Sequence, residues 1–354
     1  MGRHGTIGLS RPPTGALPAM FVPSEHWYPV LQSRELGRKP LGVERFGRRL
    51  VFWRTEDGRA HAHPDRCPHL GAQLSRGAVD RDCLSCPFHG FAFDAQGQCR
   101  RIPAIGRQGK IPKGMALEAF AVREAHGLLW LWWGAPREVY PELPFFPELD
   151  DGWRYGTETV EWPVHYTRAI ENQLDVAHLP FVHRTTIGAG GRSLVEGPYI
   201  ESDDHGIRVW VTNAADVGQS PRTLAELATA AAGAPPGLHF RFPALWLLNL
   251  GERQKNMIAF VPVNESTTRY YLRFYHRVRN PLLARPLEFI MGLSNRFILN
   301  QDRRVVVTQT PRDSAHAEQD RLIGADRAII EFRRWHRHMR DMPPAPIAMP
   351  ATER

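Results

Sequence analysis

Long apolar runs are missing from this 354-residue chain. The longest, residues 127–135, falls well short of the roughly 18 residues needed to cross a bilayer, so no membrane span is expected. The opening MGRHGTIGLSRPPTGALPAMF has no continuous apolar core and does not read as a secretory signal. Gly2 and Thr6 have the form of a myristoylation site, but so short a pattern is better read as chance. Cysteine is scarce too: four residues cannot make a disulfide framework in a chain of this length. Cys83 and Cys99 therefore read as plain thiols of a reduced, cytoplasmic compartment. Lysine is nearly absent, so the net charge of +8 is carried by arginine. The arginines are dispersed in pairs such as Arg48-Arg49 and Arg303-Arg304, without an aromatic-interleaved basic stripe, which argues against nucleic acid. Such a surface suits an acidic electron-transfer partner, or is simply solvated. No G-x-G-x-x-G fingerprint appears, so no dinucleotide is expected to bind this chain directly.

What is present begins at Arg66. Cys67-Pro-His69-Leu-Gly71 and Cys86-Pro-Phe-His89-Gly90 each set one thiol and one imidazole in a short turn, with 16 residues between His69 and Cys86. Two such loops can close on one site. Zinc accepts these donors, although its fingers usually keep like ligands together. Alternating unlike ligands suit a [2Fe-2S] cluster with both cysteines on one iron and both histidines on the other. The glycines let the backbone turn tightly around a bulky group.

Short runs rich in valine, leucine and aromatics flank these loops, broken by glycine and proline, and predict a small all-β domain over residues 26–136. Hairpins are expected at Glu56-Asp57-Gly58 and Gln96-Gly97. His61 and His63 read as half-exposed strand residues. Residues 1–25 read as a loose arm, 137–160 as a Pro-rich linker, 161–341 as a second domain and 342–354 as a tail.

The second domain opens on YTRAIENQLDVAHLPFVHRT. Ile170, Leu174 and Ala177 predict a helix over residues 168–179, with Glu171, Asn172, Asp175 and His178 along another face. Pro180 should end or kink it near Leu179, letting His183 fold back beside His178. Two imidazoles and one carboxylate make the facial site of non-haem Fe(II) oxygenases. Asp302, within the apolar pattern of Phe297, Ile298, Val305 and Val306, is the leading carboxylate; Asp313, Glu288 and Asp320 are rivals.

Taken together, C-x-H-x16-C-x2-H and N-x2-D-x2-H-x4-H resemble the catalytic alpha subunits of the Rieske non-haem iron oxygenases, over a span from about Trp27 to about Pro311. The Gln301-Asp302-Arg-Arg-Val-Val-Val-Thr-Gln309 stretch is similar to the helix that supplies the third iron ligand in that family. The resemblance implies an α+β protein: an N-terminal all-β Rieske [2Fe-2S] domain and a C-terminal helix-grip domain with a curved antiparallel sheet. It implies that Cys67, His69, Cys86 and His89 bind the cluster, and that His178, His183 and Asp302 bind a mononuclear Fe(II). Asp175 would bridge the centres of adjacent subunits in a homotrimer, and Asn172 would sit near the iron. Respiratory-chain Rieske proteins carry an extra disulfide and a serine where this chain has Ala72, Phe88 and Phe91, which implies a lower potential here.

The activity implied is a terminal oxygenase. Electrons from NAD(P)H would arrive through a separate ferredoxin or flavin reductase, and O2 would monooxygenate or oxidatively demethylate a small apolar or aromatic substrate. VPVNESTTRYYLRFY is similar to the pheophorbide oxygenase, dicamba and vanillate demethylase group. Ring cis-dihydroxylation is the alternative reaction. A Rieske electron carrier with a ligand-binding domain, and a zinc-bound structural protein, are rivals of other classes. Trp210, Phe240, Phe242, Leu245, Leu247 and Phe260 are candidate pocket residues, and the Ala-rich stretch 223–236 is expected to be a loop or short helix over the entrance.

Overall fold

The computed structural model describes residues 20–149 and 152–342. Most of the expected arm, including Gly2 and Thr6, and all of the expected tail beyond Met342 lie outside the described residues.

The first half is built of short antiparallel strands: β1 (His26–Gln32), β2 (Leu41–Arg45), β3 (Arg48–Arg54), β4 (Ala60–Pro64), β5 (Ala78–Asp80), β6 (Cys83–Ser85), β7 (Ala92–Phe93), β8 (Cys99–Arg101), β9 (Val122–Ala125) and β10 (Leu128–Trp133). They form three small sheets, β1-β10-β9, β2-β3-β4 and β5-β6-β7-β8. The β3–β4 and β7–β8 hairpins fall where the turn residues predicted them. Gly58 and Gly97 take positive φ there. His61 is half-buried as expected, but His63 is fully buried, its Nδ1 2.9 Å from the Glu118 carbonyl. Alternation had placed it on the open face; the returning chain at Phe120 covers it, pairing with Ala62.

The second half is one seven-stranded antiparallel sheet, and the chain is mixed α+β. Its strands are β11 (Arg154–Trp162), β12 (Leu194–Asp203), β13 (Gly206–Ala214), β14 (Leu238–Arg241), β15 (Leu245–Gly251), β16 (Gln254–Asn264) and β17 (Thr267–His276), in the order β11-β17-β16-β15-β14-β13-β12. Strand β11 occupies the last part of the stretch that reads as linker. Its run of Thr and Glu leaves it without an apolar stripe, and only pairing with β17 along its whole length makes it a strand.

Side chains alternate across this sheet with period two. One face carries Ile207, Phe240, Trp246, Ile258, Phe260, Tyr270 and Leu272 into the core shared with the helices. The other carries Leu245, Leu247, Met257, Ala259 and Tyr271 against Trp27, Trp130 and Trp132 of the first domain. Leu245 and Leu247 therefore do not share a pocket face with Phe240, Phe242 and Phe260, a correction that register alone decides. Trp246, between them in sequence, takes the inner place and donates its Nε1–H to the Gln173 carbonyl at 2.8 Å. Trp210 is half-buried and donates to the Ala234 carbonyl.

Among the described residues five α-helices complete the domain: α1 (Tyr166–Leu174), α2 (Leu179–Val182), α3 (Leu224–Ala231), α4 (Pro281–Val306) and α5 (Arg327–Asp341). Helix α3 falls within the Ala-rich stretch, opened by a Thr223–Glu226 capping box, and packs on β12. Helix α4 starts at an Asn280 cap followed by Pro281, buries Ala284, and from Gly292 buries Asn295, Leu299, Asp302 and Val306 at three- and four-residue spacing. Among the described residues no helix is long and apolar enough to cross a membrane.

The expected single helix over 168–179 is instead two. Helix α1 stops at Leu174 because the Asp175 side chain accepts the Ala177 N–H at 2.7 Å, offering the backbone a turn in place of another helical bond. Pro180 does not end the first helix; it sits in the first turn of the second, where its missing N–H costs nothing.

Candidate functional site

The two Cys/His loops have the same backbone design. Cys67 N–H bonds to the Ala72 carbonyl and Gly71 N–H returns to Cys67; Cys86 N–H bonds to Phe91 and Gly90 N–H returns to Cys86. Gly71 and Gly90 both take positive φ, 76° and 70°, which closes each turn. Cys67 and Cys86 lie buried over Val51, Trp53, Leu74, Leu84 and Phe93. His69 and His89 stand at the exposed rim with ring centroids 4.8 Å apart, and His69 stacks on Phe91. All four cysteines are free thiols.

Burial pushes the Cys67 thiol up to about 11, and the Cys86 thiol beside it adds to the shift. A pair of thiolates here needs cationic metal to hold it deprotonated. A buried floor of two sulfurs under a rim of two imidazoles fits a [2Fe-2S] cluster of two-Cys, two-His ligation.

Close backbone approach sets the second loop. A Cβ built on Gly77 would lie 1.9 Å from the Ser85 carbonyl oxygen, one residue before Cys86. Gly77→Ala is therefore expected to part β5 from β6 and cost about 3 kcal/mol. A thermal melt with an unchanged midpoint would refute the tight contact.

In the second domain His178, His183 and Asp302 offer one ligand atom each within 4.8 Å of one another. Both imidazoles turn Nε2 to the same carboxylate oxygen: His183 at 2.9 Å and His178 at 3.4 Å from Asp302 Oδ1. The break after Leu174 makes this possible. It puts His178 before α2 and His183 after it, and their rings meet at 5.1 Å between centroids. Asp302 reaches them from the inner face of α4 and is 3% exposed.

The outer nitrogens are engaged differently. His178 Nδ1 faces Asp175 Oδ2 at 3.6 Å, whereas His183 Nδ1 lies 2.8 Å from Gln301 Oε1. Burial opposes a charge on His178, but Asp175 and then Asp302 outweigh it and push its value up to about 9. Asp302 and Asp175 are held below the usual carboxylate range; burial raises both, and their imidazole neighbours more than compensate. His178 Nδ1 and Asp302 Oδ1 are buried without a properly formed hydrogen bond. Two imidazoles and a carboxylate converging on underbonded atoms fit a divalent iron.

Asn172 lines the adjoining cavity of about 370 Å³ with Asp175, His178 and Asp302, and its Oδ1 accepts from Gln173. The rival carboxylates are taken elsewhere. Asp313 pairs with Arg340, Glu288 with His276, and Asp320 with Arg168 and Arg333.

Two groups escaped the sequence reading. Gln301 stands beside Asp302 in the chain, yet its partner His183 is 118 positions away. The cavity wall opposite the site is a charge network in which Glu171 receives Arg333 Nε at 2.7 Å and Arg168 at 3.1 Å. Helical spacing had put Glu171 on the face of Asp175, but nothing local marks Arg333 as its partner.

Residues 26–120 match the Rieske [2Fe-2S] domain, and residues 162–342 match the vanillate O-demethylase oxygenase C-terminal domain. The chain is 37% identical over 183 residues to the putative toluene-4-sulfonate monooxygenase system iron-sulfur subunit TsaM2 of Comamonas testosteroni, covering 51% of each. It is 34% identical over 188 residues to the aminopyrrolnitrin oxygenase PrnD of Pseudomonas fluorescens, covering 51% of this chain and 52% of that one. It thus spans about half the length of these curated relatives. Dicamba monooxygenase bound to 3,6-dichlorosalicylic acid superposes with a TM-score of 0.71 at 22% identity, covering 90% of this chain and 97% of that one. NdmA of Pseudomonas putida CBB5 gives 0.71 at 22%, covering 88% and 89%. At such identity these two structures speak to the fold alone. With both of its domains matched in order, this chain belongs to the Rieske non-haem iron oxygenases, in the group with a vanillate O-demethylase oxygenase C-terminal domain.

Proposed function

We propose that this chain is the terminal oxygenase of a multicomponent system that monooxygenates or oxidatively demethylates a small apolar or aromatic substrate. The observation that carries the reading is the convergence of His178, His183 and Asp302 in a chain that also bears the paired Cys/His loops. Cys67 and Cys86 would hold one cluster iron, His69 and His89 the other, and the three converging groups a mononuclear Fe(II). When bound, these centres supply electron relay and O2 activation.

The chain's own residues do the rest. Asp175 stands behind His178, its Oδ2 3.6 Å from Nδ1, and its negative charge there raises the basicity of the ring. Phe240, Phe242, Trp246 and Phe260 pack the inner face of the sheet into the core that carries the helices bearing the site. Electrons come from NAD(P)H through a separate ferredoxin or flavin reductase, in a cytoplasmic setting that leaves Cys83 and Cys99 as thiols.

A homotrimer brings the two centres together. Leu70 and Phe88 are 65% and 62% exposed at the tip of the cluster loops, and Phe181 is 69% exposed between His178 and His183. Apolar groups around each port suit burial of one subunit's tip on the next subunit's iron site, with Asp175 linking His178 to the neighbour's cluster histidine.

The test is metal content and product. The oxygenase reading expects about three irons per chain, whereas an electron carrier with a ligand-binding domain would hold about two. Reduced protein given O2 with methoxylated aromatics, N-methyl compounds and polycycles should add an oxygen atom or remove a methyl group by mass. Two irons and no oxygen consumption would end the reading.

A further inference from the structure

The two candidate iron-binding histidines have unlike partners behind them. His178 is backed by a carboxylate, and His183 by the neutral amide of Gln301. We infer that Gln301 is a positioning residue: its Oε1 accepts the His183 Nδ1–H and so holds the ring with an unprotonated Nε2 turned to the metal position beside Asp302. The inference rests on the iron-site reading above and deepens it.

Four observations carry it. His183 Nδ1 to Gln301 Oε1 is 2.8 Å, a full hydrogen bond, and His183 Nε2 is 2.9 Å from Asp302 Oδ1 on the other side of the same ring. A second donor, Thr186 Oγ1, reaches Gln301 Oε1 at 3.0 Å. With Nδ1–H and this hydroxyl both donating, the atom between them is the amide oxygen, and the Gln301 nitrogen lies toward Thr185 Oγ1 at 3.5 Å. His183 is 1% exposed, so water does not compete for Nδ1.

The placement follows from the helix. Gln301 and Asp302 are successive residues of α4, about 100° apart around its axis. One side chain grips the outer edge of the His183 ring while the next meets its inner edge, so the ring is held at both ends by one rigid element. Thr186 belongs to the turn after α2, where its N–H also bonds to the His183 carbonyl, so the ring and its support are fixed by one loop.

A neutral backing group has a chemical consequence. A carboxylate behind an imidazole increases its donor strength, whereas an amide orients the ring and sets its tautomer with little added charge. The two histidines would then differ in donor strength toward a metal held between them.

The experiment uses the full chain with its cluster in place and the mononuclear site emptied by chelator. Fe(II) affinity at that site is measured by dialysis against graded chelator. Gln301→Leu should weaken Fe(II) by about 10- to 100-fold while the cluster absorption stays intact. Gln301→Glu keeps an acceptor oxygen and should bind Fe(II) at least as tightly as the natural chain. A merely structural role in α4 packing would not separate leucine from glutamate in this way. Affinity within about twofold of the natural chain for Q301L overturns the inference. So does Q301E binding as weakly as Q301L, because the amide nitrogen would then face the ring. If Q301L does not fold, the sign of the Q301E effect decides alone. Failure of the unsubstituted chain to take up any iron beyond its cluster takes the iron-site reading down as well, and so differs from failure of Gln301 alone.

Discussion

Asp302→Ala is expected to lower iron from about three to about two atoms per chain and to bring turnover to background, while the cluster persists. The carboxylate is the shared inner partner of both imidazoles and comes from a different element than either; Asp175, the other acid beside them, faces the outer Nδ1 of His178. Asp313, Glu288 and Asp320, the rival carboxylates, are each paired elsewhere: with Arg340, with His276, and with Arg333. Asp302→Asn is the stricter form, because it keeps the volume and removes only the charge. The metal-free protein offers a second readout. The folded value of His178, about 9, stands above its ordinary 6.5. Its contribution is therefore fully present below pH 6.5 and is lost as pH rises through about 9, amounting to about 3 kcal/mol. Removing Asp302 leaves Asp175 as the sole carboxylate on His178 and should shrink that alkaline step, measured as the difference in denaturant midpoint between pH 6 and pH 10. An alkaline step of undiminished size, or iron content that does not change, would show that Asp302 is not the shared partner.

What was legible in the sequence was local. Both Cys/His loops lie within one 24-residue stretch from Cys67 to Gly90, and their turns close through bonds of four or five residues, so spacing carried the geometry. His178 and His183 were legible for the same reason, although the helix between Tyr166 and Val182 breaks at Asp175 rather than at Pro180. Periodicity registers the apolar positions Ile170 and Leu174, but not the competition of a side-chain oxygen for a backbone N–H. Asp302 was placed by its apolar surroundings and by resemblance, because its partners lie more than a hundred residues away. Gln301, Arg333 and the inward face of Trp246 depend on sheet register and on helix α5 arriving over α1. Leu245 and Leu247 show the same limit: a run hydrophobic on both sides is covered on both faces, and period two cannot say which face meets the helices.

Glu171→Ala is expected to destabilise the chain by about 3–5 kcal/mol, among the largest effects of any surface-distant substitution here. Glu171 is 4% exposed on α1 and takes Arg333 of α5 in a two-pronged grip at 2.7 and 3.0 Å. Arg168, also 4% exposed, adds a third bond at 3.1 Å, and Asp320 completes a ring of two guanidiniums and two carboxylates. Alanine at 171 leaves the buried Arg168 and the half-buried Arg333 with one carboxylate, and the uncompensated charge rather than the lost attraction sets the cost. Replacing acid and base together, as Glu171→Leu with Arg333→Leu, removes the imbalance and should recover much of the loss. The same ring walls the cavity beside Asp175 and Asp302, and Arg168 also holds the Pro311 carbonyl that follows α4. Loosening α1 there should therefore weaken iron at the second site more than the cluster, whose loops belong to the other domain. Thermal melts of the single and double variants decide the matter: equal destabilisation in both would mean that volume, not charge balance, is what this ring supplies.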